Sequence, residues 1–298
     1  MSTATKIEWT RGDDGTAGAT WNPVTGCDEV SAGCDHCYAE TFAERWRGIP
    51  GHHFENGFDV TLRPERLDAP LRWRKPKRIF VNSMSDLFHE SVPEAFIAGV
   101  FAVMAAAGQH TFQLLTKRHG RMRSLLSRGE LGSDGFPDMV EEAMAEFTHA
   151  SLDTWPLPNV WLGVSAEDQQ WWDIRVPALL ETPAAVRFVS AEPLLGPIDM
   201  RLAGGGDPAP DWLIVGGESG PGSRPMAVEW VRDMLAQCHR PGVPTVPFVK
   251  QLGAVAGREL EAGPKGGDWD RWPQDLRVRE FPRPATTGAR ERNDPAAC

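Results

Sequence analysis

The 298-residue sequence lacks any apolar run that approaches the roughly 18 residues needed to cross a bilayer. Its first ten residues, MSTATKIEWT, contain no apolar segment after a basic start, which distinguishes them from a secretory signal peptide. From these two absences we expect a cytoplasmic protein that has no membrane partner.

Positive charge is also scarce, with 31 Lys and Arg residues against 41 Asp and Glu residues and a net charge of −10. This balance excludes a polycation that binds nucleic acid through its overall field, so such binding would need a local basic patch. Lys117, Arg118, His119, Arg121 and Arg123 form one candidate patch. It suits a phosphate group, but the solvated start of a helix explains it more simply.

Cysteine is sparse and unevenly distributed. The chain has five cysteines, and an odd number in a cytoplasmic protein does not suggest a disulfide framework. Cys238 stands alone and Cys298 ends the chain, whereas Cys27, Cys34 and Cys37 follow the spacing C-x6-C-x2-C. We interpret Cys238 as a small apolar core residue and the group of three as a metal or cluster site.

The segment around the three cysteines reads as a loop, because it contains an Asn-Pro pair and two glycines. Three thiolates without a fourth cysteine nearby fit an iron–sulfur cubane whose fourth iron is open to a small molecule. The alternatives are a structural zinc site, with His36 or a distant residue as fourth ligand, and three unliganded thiols. His36 lies between Cys34 and Cys37, a poor position for joining the same tetrahedron, so the pattern favours the cluster.

Short apolar runs that stop abruptly in polar residues recur along the chain and alternate with helical patterns. This rhythm predicts an α/β fold with a parallel sheet, as a full or partial TIM-like (β/α) barrel, with an open doubly wound sheet as the alternative. The predicted strands cover residues 78–86, 112–118, 160–167, 186–192, 212–219 and 247–251, with two more near 7–9 and 20–21. The predicted helices cover residues 39–47, 93–107, 122–127, 169–180 and 228–237.

We expect one domain over residues 1–282, in which the acidic segment 129–158 is an insertion that holds a helix at about 138–149. Residues 203–210 read as a flexible loop, and residues 283–298 as a disordered tail. The segment 269–282 is expected to cap one end of the barrel.

The motif Cys34-x-x-Cys37-Tyr38 resembles the cluster loop of radical S-adenosylmethionine enzymes, although most of that superfamily has C-x3-C-x2-C and this chain has a first gap of six. Over residues 7–282 the chain more closely resembles a phage- and bacteria-associated radical-SAM-like family of undefined function. This resemblance is carried by the three cysteines, Cys27, Cys34 and Cys37, and by the segments Trp21-Asn22-Pro23, 81–88, 115–118, 163–165, 190–196, 216–220 and 248–253.

The resemblance implies a radical SAM type of barrel in which Cys27, Cys34 and Cys37 hold one [4Fe-4S] cluster. S-adenosyl-L-methionine would bind the open iron and be cleaved to a 5′-deoxyadenosyl radical, with a flavodoxin or ferredoxin as external electron donor. The substrate would be a nucleobase, a nucleotide or nucleic acid. The alternative is a zinc-stabilised binding or nuclease-accessory protein from a phage or defence locus.

Polar residues follow each predicted strand, at the edge where parallel α/β folds build their active sites. We expect Ser83, Ser85 and Asp86 to contact the cofactor, and the resemblance adds ribose contacts from Ser165 and Glu167. The predicted catalytic residues, each of which could instead be a capping or solvated loop residue, are Lys117, Glu192, Glu218 and Lys250.

Overall fold

The protein is described by a computed structural model that covers residues 4–201 and 209–283. Seven parallel strands form one curled sheet, a half barrel, in the order β1-β4-β5-β6-β7-β8-β9, and β2 pairs with β3 in a small antiparallel ribbon. The strands are β1 (Ala19–Trp21), β2 (Val24–Thr25), β3 (Thr61–Leu62), β4 (Arg78–Val81), β5 (Thr111–Thr116), β6 (Val160–Ser165), β7 (Val186–Ala191), β8 (Trp212–Gly216) and β9 (Val246–Gln251).

The helices are α1 (Tyr38–Glu44), α2 (Glu94–Ala106), α3 (His119–Leu126), α4 (Phe136–Met144), α5 (Gln169–Leu180), α6 (Val228–Cys238) and α7 (Gly253–Glu259). Side chains from the convex face of the sheet and from the longer helices share one large buried cluster. The other face carries a separate apolar cluster. The described helices therefore cover one face of a curled sheet, which favours the barrel-like arrangement over the doubly wound alternative.

The six main predicted strands and the one near 20–21 are confirmed, because each is an apolar run that is buried within the sheet. The strand predicted near 7–9 is wrong. Those residues lead into a short 3-10 helix, Glu8–Thr10, in which Trp9 is only 2% exposed. Trp9 packs on Phe80 with ring centroids 4.6 Å apart, so tertiary packing rather than strand pairing buries this apolar segment.

The amino-terminal end of the half barrel is closed by an aromatic floor, which we define as Trp9, Phe80, Trp161, Val186, Phe188, Trp212, Ile214 and Phe248. Trp212 lies among the rings of Trp161, Phe188 and Phe248, with centroids 5.7 to 5.8 Å away. The C-terminal segment completes this floor, because Phe281 packs 5.5 Å from Trp212 and Glu280 accepts a hydrogen bond from the indole of Trp212. Residues 280 and 281 of the expected cap therefore lie at the floor, whereas Trp272 and Leu276 belong to the cluster on the other face of the sheet.

The helix expected in the acidic segment is present as α4, which begins two residues earlier and ends five residues earlier than 138–149. Its Phe136 packs against Phe101 of α2, so this part of the segment belongs to the core. Residues 203–208 of the expected flexible loop, and 284–298, nearly all of the expected disordered tail, lie outside the described residues. Within the residues that are described, no helix has both the length and the apolar character to span a membrane.

Candidate functional site

The three cysteines lie on one segment, residues 27–37, which we call the cysteine loop and which connects β2 to α1. Its first end is fixed beside β4: the Gly26 amide donates to the Met84 carbonyl at 2.9 Å, and Gly26 forms a bridge with Ser85. Gly26 has a φ of +86°, and a Cβ there would lie 2.3 Å from the Asp59 carbonyl oxygen. Only glycine fits this turn, which directs Cys27 toward the sheet edge.

The rest of the cysteine loop reaches across the carboxyl ends of the strands, an edge that we call the mouth of the half barrel. The Gly33 amide donates to Glu167 Oε1, just after β6, at 3.3 Å. His36 Nδ1 lies 3.0 Å from Glu218 Oε2, just after β8. Tyr38, the first residue of α1, donates its hydroxyl to the carbonyl of Ser83, which follows β4, at 2.5 Å. The loop and the tyrosine that follows it thus contact three separate strand ends.

The three thiols are free and partly exposed, whereas Cys238 is buried in α6 as predicted. Burial raises the pKa of the Cys27 thiol to about 12, to which the Asp86 carboxylate adds while the Arg118 guanidinium opposes it. Among the described residues, no three Cys, His, Asp or Glu side chains converge into a group ready to hold a metal ion. Three sulfurs on one loop are nevertheless a donor set that suits an iron–sulfur cluster, and the loop would have to bring them together on loading.

The residues expected to contact a cofactor after β4 are occupied by hydrogen bonds within the protein. Ser85 donates its hydroxyl to the Val24 carbonyl at 2.7 Å, and Ser83 donates to the Asn22 side chain at 3.2 Å. Asp86, 5% exposed, accepts from the Thr116 hydroxyl at 2.7 and 2.8 Å. It also accepts from the amides of Lys117 and Phe88. These side chains tie the ends of β1, β4 and β5 together beneath Cys27.

Glu167 forms a buried ion pair that the sequence did not reveal. Its Oε2 accepts from Arg175 Nη1 of α5 at 2.9 Å, and both side chains are 0% exposed. Arg175 also donates to the Ser165 carbonyl and stacks 3.9 Å from the ring centroid of Trp171. Its Nε and Nη2 have no hydrogen-bond partner among the described residues. The buried arginine therefore supports the carboxylate that receives the cysteine loop.

Glu192, which follows β7, and Lys250, the next-to-last residue of β9, form an ion pair with a distance of 2.6 Å between Oε1 and Nζ. They meet across Gly216, where a Cβ would lie 3.3 Å from the Glu192 side chain. Glycine at the end of β8 therefore leaves room for a charged pair in the mouth. Lys117 lies on the other side of the mouth, after β5. Burial raises the pKa of Glu167, but the Ser31 hydroxyl and the charges of Arg175 and Lys117 outweigh it, so the pKa is lowered.

Glu218 is joined by Arg224, a second residue that the sequence did not point to. Arg224 donates to both carboxylate oxygens, with Nη2–Oε1 at 2.6 Å and Nε–Oε2 at 3.1 Å. Burial would raise the pKa of Glu218, but the hydrogen bonds from Arg224 and His36 outweigh it and lower the pKa to about 2. Glu218 is therefore a paired anion at neutral pH rather than a carboxylate that is free to take up a proton.

The basic patch is partly used within the fold. Arg121 donates to the carbonyls of His89 and Val92, and Arg123 pairs with Glu181 of α5 at 2.6 Å. Lys117 and Arg118 have no ion-pair partner among the described residues, and they follow β5 at the mouth. The helix start that we favoured is present as α3 (His119–Leu126).

The model of a protein family described as "Protein of unknown function (DUF5131)" matches residues 4–276 of the chain. The chain belongs to this family. Membership confirms the coarser part of the expected resemblance, a family of undefined function, since the family's description names no reaction or cofactor. No curated protein and no solved structure matches the chain.

Proposed function

We propose that the protein is a radical S-adenosylmethionine enzyme whose single [4Fe-4S] cluster is held by Cys27, Cys34 and Cys37. The observation that carries the proposal is the position of the cysteine loop, which lies across the mouth of a parallel half barrel. The loop contacts the ends of β6 and β8, and Tyr38, which follows it, contacts the end of β4. When bound, such a cluster supplies the electron that cleaves S-adenosylmethionine to a 5′-deoxyadenosyl radical.

The protein's own residues would shape the space around this chemistry. The aromatic floor excludes water from one end of the half barrel, and the polar mouth lies at the edge where parallel folds bind ligands. Three charged side chains at that edge remain accessible to a cofactor or substrate. Glu192 and Lys250 are 18% and 19% exposed, and Lys117 is partly exposed. Ser165, which ends β6, and Glu167 are 3% and 0% exposed, so they would contact a ribose only once the cysteine loop moves off Glu167 on loading.

Two partners follow from the proposal. The sequence has no second group of cysteines that could relay electrons, so a flavodoxin or ferredoxin would supply them. A nucleobase, nucleotide or nucleic acid is the proposed substrate class. Lys117 and Arg118 are the part of the basic patch that remains to meet a phosphate, since Arg121 and Arg123 are used within the fold.

Anaerobic reconstitution with iron and sulfide tests the proposal directly. We expect a brown protein with about four irons per chain that releases 5′-deoxyadenosine from S-adenosylmethionine under dithionite. Cys27→Ala should abolish both cluster and cleavage. Cys238→Ala is the matched control, because this buried thiol lies in α6, and it should keep both.

A colourless protein that binds one zinc ion per chain would contradict the proposal and favour the zinc-stabilised binding protein. In that case Cys27→Ala should mainly lower the thermal stability, because a structural zinc contributes to folding rather than to catalysis.

A further inference from the structure

One guanidinium joins the second half of the cysteine loop to the body of the protein. Besides its two side-chain bonds to Glu218, Arg224 donates through Nη1 to Asp35 at 2.9 Å and through Nη2 to the Ala32 carbonyl at 2.8 Å. The Arg224 side chain is 27% exposed and that of Glu218 is 7% exposed. These charge-assisted bonds are therefore shielded from bulk water on the Glu218 side, where they are stronger than at an open surface.

The first half of the cysteine loop is anchored by a different set of contacts. The Cys27 amide donates to the Phe58 carbonyl at 3.2 Å. Asp28 accepts from His89 Nε2 at 2.8 Å, and His89 is 2% exposed while its Nδ1 accepts from the Ser91 amide. None of these contacts involves Arg224. The two halves of the loop are thus attached to opposite sides of the mouth by independent contacts.

We propose that Arg224 is a positioning residue that holds residues 32–36, and with them Cys34 and Cys37, in place relative to Cys27. The arrangement needs a planar fork, because one side chain must reach a carboxylate, a second carboxylate and a backbone carbonyl at once. The inference rests on the proposed function in one respect, which is that the three thiols bind a metal cluster. The thiols do not yet converge, so Cys27 and the other two must still come together on loading. A second half of the loop that is already held leaves fewer residues to order in that step.

Hydrogen exchange of the metal-free protein tests the positioning role without any cofactor. In Arg224→Ala we expect amides 31–37 to exchange about tenfold faster, because charge-assisted bonds that oppose local opening are lost. Amides 24–30 should change less than about twofold, since the first half of the loop keeps its own anchors. Arg224→Lys, which keeps the charge but not the fork, should give an intermediate rate.

Arg232→Ala is the matched control. Arg232 also makes two ion pairs, with Asp275 and Glu229, but it lies on α6 away from the loop and is 42% exposed. It should leave exchange in 31–37 unchanged. If Arg224→Ala does not fold, Asp35→Asn replaces it in the same experiment. Asp35 is 52% exposed, so its substitution should not disturb folding, and it weakens only the bond between Arg224 and residue 35.

Titration with Co²⁺ alone gives the second readout, and we expect Arg224→Ala to bind it about tenfold more weakly than the native protein. Unchanged exchange in 31–37 for both Arg224→Ala and Asp35→Asn would overturn the inference, as would faster exchange spread evenly over the sheet. Failure to form a cluster or to cleave S-adenosylmethionine would instead count against the proposed function, and would leave the exchange result intact.

Discussion

The two ends of the half barrel are closed by opposite kinds of chemistry. The aromatic floor is made of rings and aliphatic side chains that are at most 9% exposed, and it contains no charged residue. The mouth is crossed by a loop that is held by carboxylates and guanidiniums, among them the Glu167–Arg175 and Glu218–Arg224 pairs. Packing depends little on pH, whereas ion pairs do. The floor therefore stabilises the fold in a way that depends little on pH, whereas the ion pairs of the mouth add a pH-dependent contribution and also hold the cysteine loop.

The largest expected effect is at the floor. Trp212→Ala should lower the free energy of unfolding by about 4 kcal/mol, because it removes a 0% exposed ring that packs against several others and leaves a cavity. Urea denaturation followed by circular dichroism measures this change. Ile174→Ala, at a side chain that is 42% exposed on α5, should change it by less than about 1 kcal/mol. Equal effects of the two substitutions would contradict the assignment of the floor.

At the mouth, Arg175→Ala should cost about 3 kcal/mol of unfolding free energy, because it leaves the 0% exposed Glu167 carboxylate without its counter-charge. The double variant Arg175→Met with Glu167→Leu removes both charges and should recover most of this loss. The loop should respond differently, since Glu167→Leu also deletes the acceptor of the Gly33 amide. The Gly33 amide should therefore exchange faster in the double variant than in the native protein, even though stability is recovered. A slow amide would show that the loop is anchored elsewhere.

The difference between the two ends also explains how much the sequence could predict. The main strands were found because each is an apolar run buried within the sheet, a pattern that is local in the chain. The local pattern around Trp9 predicts a strand, but the residue is buried by Phe80 and Trp212, which lie far away in sequence. Such contacts cannot be seen in a local pattern.

The anchoring arginines were missed for different reasons. Arg175 interrupts the face of α5 that buries Trp172, Val176 and Leu179, and a lone cation on a buried helix face is a signal that could have revealed it. Arg224 has no such signal, because its contacts with Ala32 and Asp35 join residues about 190 positions apart. Sequence patterns identify elements and strand ends well, but not which long side chain reaches which distant loop.

Acidification should affect the mouth before the floor. The pKa of Glu218 is lowered from 4.5 to about 2 in the folded protein, so its ionised form stabilises folding above pH 4.5. This stabilisation, at most about 3 kcal/mol, is lost as the pH falls from 4.5 toward 2. The difference in unfolding free energy between the native protein and Glu218→Gln should thus be present at pH 7 and shrink over that range. A difference that is constant with pH would contradict the paired state of Glu218.

The smallest effect is expected at Tyr38, the only tyrosine of the chain. Its hydroxyl donates to the Ser83 carbonyl, but its side chain is 63% exposed, so water can replace the lost bond in Tyr38→Phe. We expect a loss of about 0.5 kcal/mol or less in unfolding free energy and a modest rise in the exchange of amides in α1. Because the bond joins the end of the cysteine loop to β4, the rise should be confined to residues next to Cys37. A rise that extended to residues 27–30 would mean that the loop moves as one body, and that its two halves are not held independently.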